Sequence, residues 1–385
     1  MPRNGSGTFS LPAGNPVVSG TTISSTTHNN TLSDIATAIT QSIAKDGQTV
    51  PTANLPMGGF KLTGLGAPTV AGDALRYENL YSAAGDIVGV TSLNSGPLAG
   101  LRSRFINGGM AVDQRNSGAS QTFTAGAALA YCVDRWYGYC TGANVTGQRV
   151  AGSGNTQYRY QFTGAASVTK IGFSQRIEAA NSYDLNNRTA TVGVELANSL
   201  LTTVTWTAYY ANTTDTFGTL ASPTRTQIST GTITVTSTPT RYYFPVSVPS
   251  AATTGIEVEF SVGAQTSGTW TISEAQIVPG AANELWREQR PVGLELALCQ
   301  RYYSRFQIGL DTTATYASHG VTYSAQMRAV PTLAIVGSAT SLQALAINYD
   351  ANVTPSAFGT VMQVQNSAPP GRCYYYATWS ATAEL

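Results

Sequence analysis

From about residue 101 onward the chain is a succession of short segments in which apolar and polar residues alternate, and turn residues separate them. FINGGMAVDQRN, YCVDRWYGYC, YRYQFTG, KIGFSQRIEA, TATVGVELA, LTTVTWTAYYA, GTITVTSTPTRYYFPVSV, GIEVEFSVGA and TWTISEAQIVPG follow one another. Each is rich in β-branched and aromatic residues and reads with the period of two that marks a strand. Thr232-Ile233-Thr234-Val235-Thr236 and Ile256-Glu257-Val258-Glu259-Phe260 alternate strictly, which predicts one dry and one wet face for each. Eight or more such strands over about 180 residues fit an antiparallel jelly-roll sandwich. Trp286 to Pro291 closes this unit, and GLELALCQRYYSRF starts another. VTYSAQM, TLAIVG, ALAINY, TVMQVQN and RCYYYATWS then predict a second, smaller β-sandwich. No fixed-period repeat is visible, which argues against a long β-helix.

The region before residue 101 reads differently. Residues 1–30 are rich in Gly, Ser, Thr, Asn and Pro without periodicity and predict an extended arm. Residues 31–46 predict a helix: Thr31-x-x-Asp34 resembles a capping box, and Leu32, Ile35, Ile39 and Ile43 form one apolar stripe. A rod of roughly 24 Å is marginal alone in water, so the stripe is assigned to oligomerisation, most simply with symmetric copies. Residues 47–100 are broken by Pro and Gly and predict a segment ordered by partners, with a short helix from Asp73. The expected organisation is therefore mainly β: 1–100 an extended N-terminal arm with a short helix, 101–290 a jelly-roll β-sandwich, and 291–385 a smaller C-terminal β-sandwich domain.

Composition removes several functions. Charged residues are only 11% of the 385, with 21 Lys+Arg against 20 Asp+Glu. Three lysines, Lys45, Lys61 and Lys170, give no basic footprint for nucleic acid. No apolar run is long enough for membrane insertion, and the first residues lack a signal-peptide core. Cys132, Cys140, Cys299 and Cys373 form no ligand cluster and read as small buried thiols. His28 and His319 are expected in turns, and neither stands in a nucleophile-elbow context. No cofactor or metal is expected. Asp113, Asp134 and Asp184 could supply oxygens to a structural calcium, but no calcium-loop motif accompanies them.

PMGGFKLTGLGAPTVAGDALRY at 56–77 resembles a segment near the N-terminus of many tailed-bacteriophage tail fibres. RFINGGMAVDQRN at 104–116 with YCVDRW at 131–136 resembles the opening of a carbohydrate-binding-like β-sandwich module of phage tail and receptor-binding proteins. GLELALCQRYYSRF at 293–306, AQMRAVPTL at 325–333 and ATAEL at 381–385 resemble the closing module of the same proteins. The fibre segment departs from the usual pattern where it reads LRYENLYS. The resemblance implies a homotrimeric fibre, made in the bacterial host cytoplasm and carried in the virion tail. Its N-terminal arm would dock on a tail or baseplate protein, and its β domains would meet a host cell-surface glycan.

A glycan site needs aromatic faces for sugar C–H surfaces and polar groups for hydroxyls. Trp136, Tyr137, Tyr139, Trp206, Tyr209 and Tyr210 offer them in the larger sandwich, and Tyr316, Tyr323, Tyr349, Tyr374 and Trp379 in the smaller one. Strand alternation assigns Trp206 to the core. The ligand-binding candidates are Tyr316, Tyr349 and Tyr374 in the terminal domain, preferred as distal to the arm, with Tyr209 and Tyr137 in the larger one. Arg135, Arg287 and Arg290 are expected in structural ion pairs or on backbone carbonyls. Hydrolysis would need paired carboxylates. Glu257 and Glu259 have permissive spacing, near 7 Å, yet read as a solvated strand face that discourages edge pairing. The expected activity is therefore binding without catalysis. The alternatives are a purely structural virion component and a glycan-degrading tail spike.

Overall fold

The computed structural model describes residues 18–40, 58–59, 61, 63–70, 73, 92–93, 96–97, 101–280, 287–342, 344–349, 356–367, 369 and 371–385 (of 92–93, 96–97, 342 and 344–349, the backbone). The chain forms two compact units, Met1–Gly89 and Val90–Leu385.

In the first unit the helix α1 spans Ser25–Thr40, six residues earlier than the sequence predicts. The start is set by Ser24, whose hydroxyl accepts from Thr27 N at 3.5 Å and whose carbonyl accepts from His28 N at 3.0 Å. Thr31 is thus no cap. It lies inside the helix and donates its hydroxyl back to Thr27 O at 2.9 Å, as mid-helix threonines do. His28 is helical, not in a turn. Leu32 and Ile39 are 52% and 67% exposed, Ile35 is half-buried, and Ile43 lies outside the described residues. The helix expected from Asp73 also falls outside them. Asp73 itself accepts from Thr69 N and Val70 N and closes a tight turn, which lowers its pKa.

The second unit opens with the two-residue strands β1 (Ser92–Leu93) and β2 (Gly96–Pro97). Twelve strands then build two six-stranded antiparallel sheets. They are β3 (Gln121–Phe123), β4 (Ala130–Tyr131), β5 (Tyr137–Thr141), β6 (Val145–Ala151), β7 (Tyr158–Thr163), β8 (Lys170–Ile177), β9 (Arg188–Asn198), β10 (Thr203–Ala211), β11 (Arg225–Thr234), β12 (Thr240–Val248), β13 (Ile256–Val262) and β14 (Thr269–Pro279). One sheet runs β11-β10-β13-β8-β5-β4 and the other β12-β9-β14-β7-β6-β3. Neighbours in space are mostly not neighbours in sequence, because the chain crosses repeatedly between sheets, as in a jelly roll. Between the sheets Trp136 stacks on Phe173 (4.9 Å), Phe162 on Trp270 (5.4 Å) and Trp206 on Phe244 (4.1 Å). Trp206 is in the core as alternation requires, and Ile233 and Val235 are buried while Thr232, Thr234 and Thr236 are exposed. FINGGMAVDQRN is not a strand. Asn107 and Met110 take left-handed φ, and the Asn107 amide holds Val112 O and Asp134 O.

After the sandwich comes helix α2 (Val292–Gln300), where the sequence shows an apolar run without helical periodicity. The smaller sandwich follows. β15 (Tyr303–Thr312), β21 (Cys373–Thr382), β17 (Thr332–Ile335) and β18 (Thr340–Leu342) form one sheet. β16 (Tyr316–Thr322), β20 (Gly359–Asn366) and β19 (Ala344–Tyr349) form the other. His319 is therefore in a strand, not a turn. Ile308, Leu310, Tyr375, Ala377 and Trp379 meet Met362 and Val364 in the core between the sheets. Tyr302 and Tyr303 are both buried, although strand alternation predicts one of them outside, because β15 begins against the larger sandwich. There Gln114 Nε2 donates to Tyr303 O (2.9 Å), Arg305 to Gln114 O (2.9 Å), and the Arg135 guanidinium lies 3.5 Å over the Tyr302 ring. Glu384 pairs with Arg115 (2.9 Å) and with Arg135. The three sequence regions RFINGGMAVDQRN, GLELALCQRYYSRF and ATAEL thus converge on one seam.

Candidate functional site

The outward face of the smaller sandwich's first sheet is built by register. β15 and β21 pair Gln307 with Thr378, Gly309 with Tyr376 and Asp311 with Tyr374. β18 adds Thr340 opposite Tyr376. The intervening residues Ile308, Leu310, Tyr375 and Ala377 point into the core, so this set points out. At its centre Tyr376 is flanked by the smallest possible neighbour. A Cβ on Gly309 would fall 2.7 Å from Tyr376 Cε1, so the ring lies across the glycine. It covers bare backbone there, in the manner of an aromatic over a strand glycine, and remains 47% exposed. Tyr374 stands beside it with ring centroids 5.7 Å apart. Arg372 lies 5.6 Å over Tyr374 and pairs with Asp311 at 2.5 Å, which lowers the Asp311 pKa. A shallow cavity of about 310 Å³ opens beside the ring, lined by Gln307, Gly309, Ser338, Tyr376 and Thr378. An accessible aromatic face bordered by amide and hydroxyl groups suits a polyhydroxylated ligand with apolar C–H surfaces.

The sequence picked Tyr374 but missed Tyr376, the more exposed ring. The signal was present: in Cys373-Tyr374-Tyr375-Tyr376 the first and third tyrosines must share a face. Tyr316 is 51% exposed but lies on the outward face of the opposite sheet, where Gln365 Nε2 donates to its hydroxyl at 3.3 Å. It does not join Tyr374. The Tyr349 side chain lies outside the described residues.

Tyr137 and Tyr209 do come together, on the outward face of the β11–β4 sheet, but in a different environment from the one predicted. That face is covered. Tyr137 is fully buried and donates its hydroxyl to Glu257, so it is not a surface platform. Glu257 and Glu259 are buried as well, not solvated. Glu257 is held by Arg176 (3.2 Å) and Arg225; Glu259 by Lys170 (2.7 Å), the Tyr139 hydroxyl (2.8 Å) and Arg225 (3.4 Å). Arg225 also caps the half-buried Tyr209 ring at 4.0 Å. Strand alternation located these groups on the outward face correctly. What it could not register is the cover: Gly218 O, which accepts from Arg176, the Phe217 ring beside that guanidinium, and Leu385 O, which accepts from both Arg176 and Tyr131. Burial and Glu257 together raise the Tyr137 pKa well above its ordinary value.

Arg287 pairs with Glu195 (2.7 Å), and Arg290 donates to Phe105 O (3.0 Å) and pairs with Glu288 (2.7 Å). The four cysteines are free and buried. Asp113 accepts from Gly118 N, Asp134 from Gln114 N, and Asp184 pairs with Arg104. Among the described residues no group of three acidic, His or Cys side chains is placed to hold a metal, and no helix is long and apolar enough to cross a membrane.

No family model matches the chain, and no curated protein matches it. It is similar to a CBM4 structure at 14% identity and TM-score 0.29, covering 45% of this chain and 98% of that one. It is also similar to the enzymatically active domain of tailspike protein 4 of bacteriophage CBA120, at 15% identity and TM-score 0.29, covering 46% of this chain and 22% of that one. A family 11 carbohydrate-binding module from Clostridium thermocellum, in complex with a β-1,3-1,4-mixed-linked tetrasaccharide, is similar at 12% identity and TM-score 0.27, covering 44% of this chain and all of that one.

Proposed function

We propose that the chain is a non-catalytic glycan-binding protein that attaches a phage tail to the host surface. The observation that carries this reading is the Tyr376 ring laid over Gly309, half exposed between Gln307, Thr378 and Thr340. Such a shallow face binds one sugar unit weakly. A trimer, joined through the exposed Leu32 and Ile39 of α1, multiplies weak sites into useful avidity. The virion setting rests on the resemblance of residues 56–77 to tail-fibre segments and of 104–116, 131–136, 293–306, 325–333 and 381–385 to receptor-binding modules. The reading assigns no hydrolysis, because Arg176, Arg225 and Lys170 occupy the paired carboxylates Glu257 and Glu259. Binding of the full chain to host cells and their purified surface glycans, with Tyr376→Ala as control, tests it. Saturable binding weakened about tenfold or more in the variant is expected; binding unchanged in the variant removes the platform from the account.

A further inference from the structure

Strand β14 loses register between Ser273 and Gln276. The bulge places Glu274 at φ 49°, a conformation a non-glycine residue keeps only where its surroundings hold it. Here Ala275 N donates to Gly108 O at 3.0 Å, and Arg241 donates to Glu274 O. Gly108 must be glycine, since a Cβ would fall 1.9 Å from Ala275 O.

The bulge turns the Glu274 side chain into a cavity of about 250 Å³ whose wall includes Phe105, Gly109, Asn155, Gln157 and Gln289. Its Oε1 lies 3.9 Å from where a Gly109 Cβ would stand. Glu274 is 6% exposed. Among the described residues its carboxylate accepts no hydrogen bond and has no ion-pair partner. The other two carboxylates of the wall are occupied: Glu288 by Ser103 N (2.7 Å) and Arg290 (2.7 Å), Glu295 by Asn107 N and Arg290 (3.3 Å). Burial raises the Glu274 pKa.

Charge selects the ligand. Arg290 in the wall and Arg241 and Arg287 near Glu274 disfavour a further cation. Glu274, Glu288 and Glu295 disfavour an anion. The volume equals roughly eight waters at ~30 Å³ each, which is room for one sugar ring. We propose that this pocket binds a neutral monosaccharide unit, Glu274 accepting from its hydroxyls, the amides of Asn155, Gln157 and Gln289 reading the rim, and the Phe105 side of the wall meeting its C–H surface. It is a second site, on the larger sandwich, and does not depend on Tyr376.

The test is saturation-transfer NMR and calorimetry on the full chain carrying Tyr376→Ala, which silences the other surface. The probes are glucose, galactose, mannose and N-acetylglucosamine, with glucuronate and glucosamine as charged counterparts. At least one neutral sugar binds saturably, each charged counterpart binds more weakly, and Glu274→Gln weakens the neutral sugar about tenfold. Absence of any neutral-sugar binding, a charged sugar binding as tightly, or full affinity in Glu274→Gln overturns the proposal. Should that variant not fold, Ala111→Leu, which fills the cavity wall, must produce the same loss.

Discussion

The ring of Tyr376 lies across Gly309, its register partner on the neighbouring strand, with the ring edge 2.7 Å from where a Cβ on that glycine would stand. One residue without a side chain thereby turns a strand tyrosine into a platform. A side chain at 309 would lift the ring. Gly309→Val is therefore expected to leave the fold intact, since position 309 is exposed and valine suits a strand, while weakening glycan binding as much as Tyr376→Ala does. Calorimetric titration beside a thermal melt checks both halves.

The ion cluster on the larger sandwich should behave oppositely. Glu257→Gln leaves Arg176 without its buried counter-charge and Arg225 with only Glu259 at 3.4 Å, so the chain loses about 3 kcal/mol or more of stability. Glycan affinity at the terminal domain stays at the parent value. Denaturant unfolding gives the first number. Chromatography of host polysaccharide after incubation addresses the hydrolytic alternative: product shortened by the parent and not by the variant would make Glu257 catalytic.

Asp134 gives the stability a pH signature. Burial pushes its carboxyl up to about 6, against the pull of the Gln114 N–H and of Arg115. A folded-state pKa above the unfolded value means that its contribution is fully present below about pH 4 and is lost as pH rises through about 6. The difference is about 3 kcal/mol. Asp134→Asn should flatten the stability profile between those values relative to the parent. Unfolding midpoints across that window, parent against variant, provide the comparison; parallel profiles would contradict it.

Helix α1 exposes Leu32 and Ile39 to solvent in the single chain. If these side chains join three copies, Leu32→Asp with Ile39→Asp yields a monomer in sedimentation, while the parent sediments as a trimer. A parent that sediments as a monomer removes the avidity argument.

Much of this architecture was legible in the chain. Period-two segments mark nearly every strand, and the dry face of Ile256-Glu257-Val258-Glu259-Phe260 is dry as expected. Its other face is dry too, because the Phe217–Gly218 loop and residues 384–385 close over it, and alternation carries no information about long-range cover. The helix starts before Thr31 for a local reason: the Ser24 hydroxyl caps it, and the residues from Ser25 to Thr31 are all polar, so the apolar stripe that begins at Leu32 does not mark this first turn. The site was half legible. Tyr374 was identified, but Tyr376 becomes visible only when Gly309 is known to sit opposite. Glu274 was unreadable, since a bulge leaves no mark in a run such as TWTISEAQIVP.

The most direct measurement is the affinity of the full chain for purified host surface glycan, in parent and in Tyr376→Ala, at about 0.05 and about 0.5 M salt. The account predicts that the parent binds with little change between the two, because the contacts are hydroxyl and aromatic, and that the variant loses about tenfold or more at both. Parent and variant affinities that coincide, or binding that collapses at the higher salt, would contradict it.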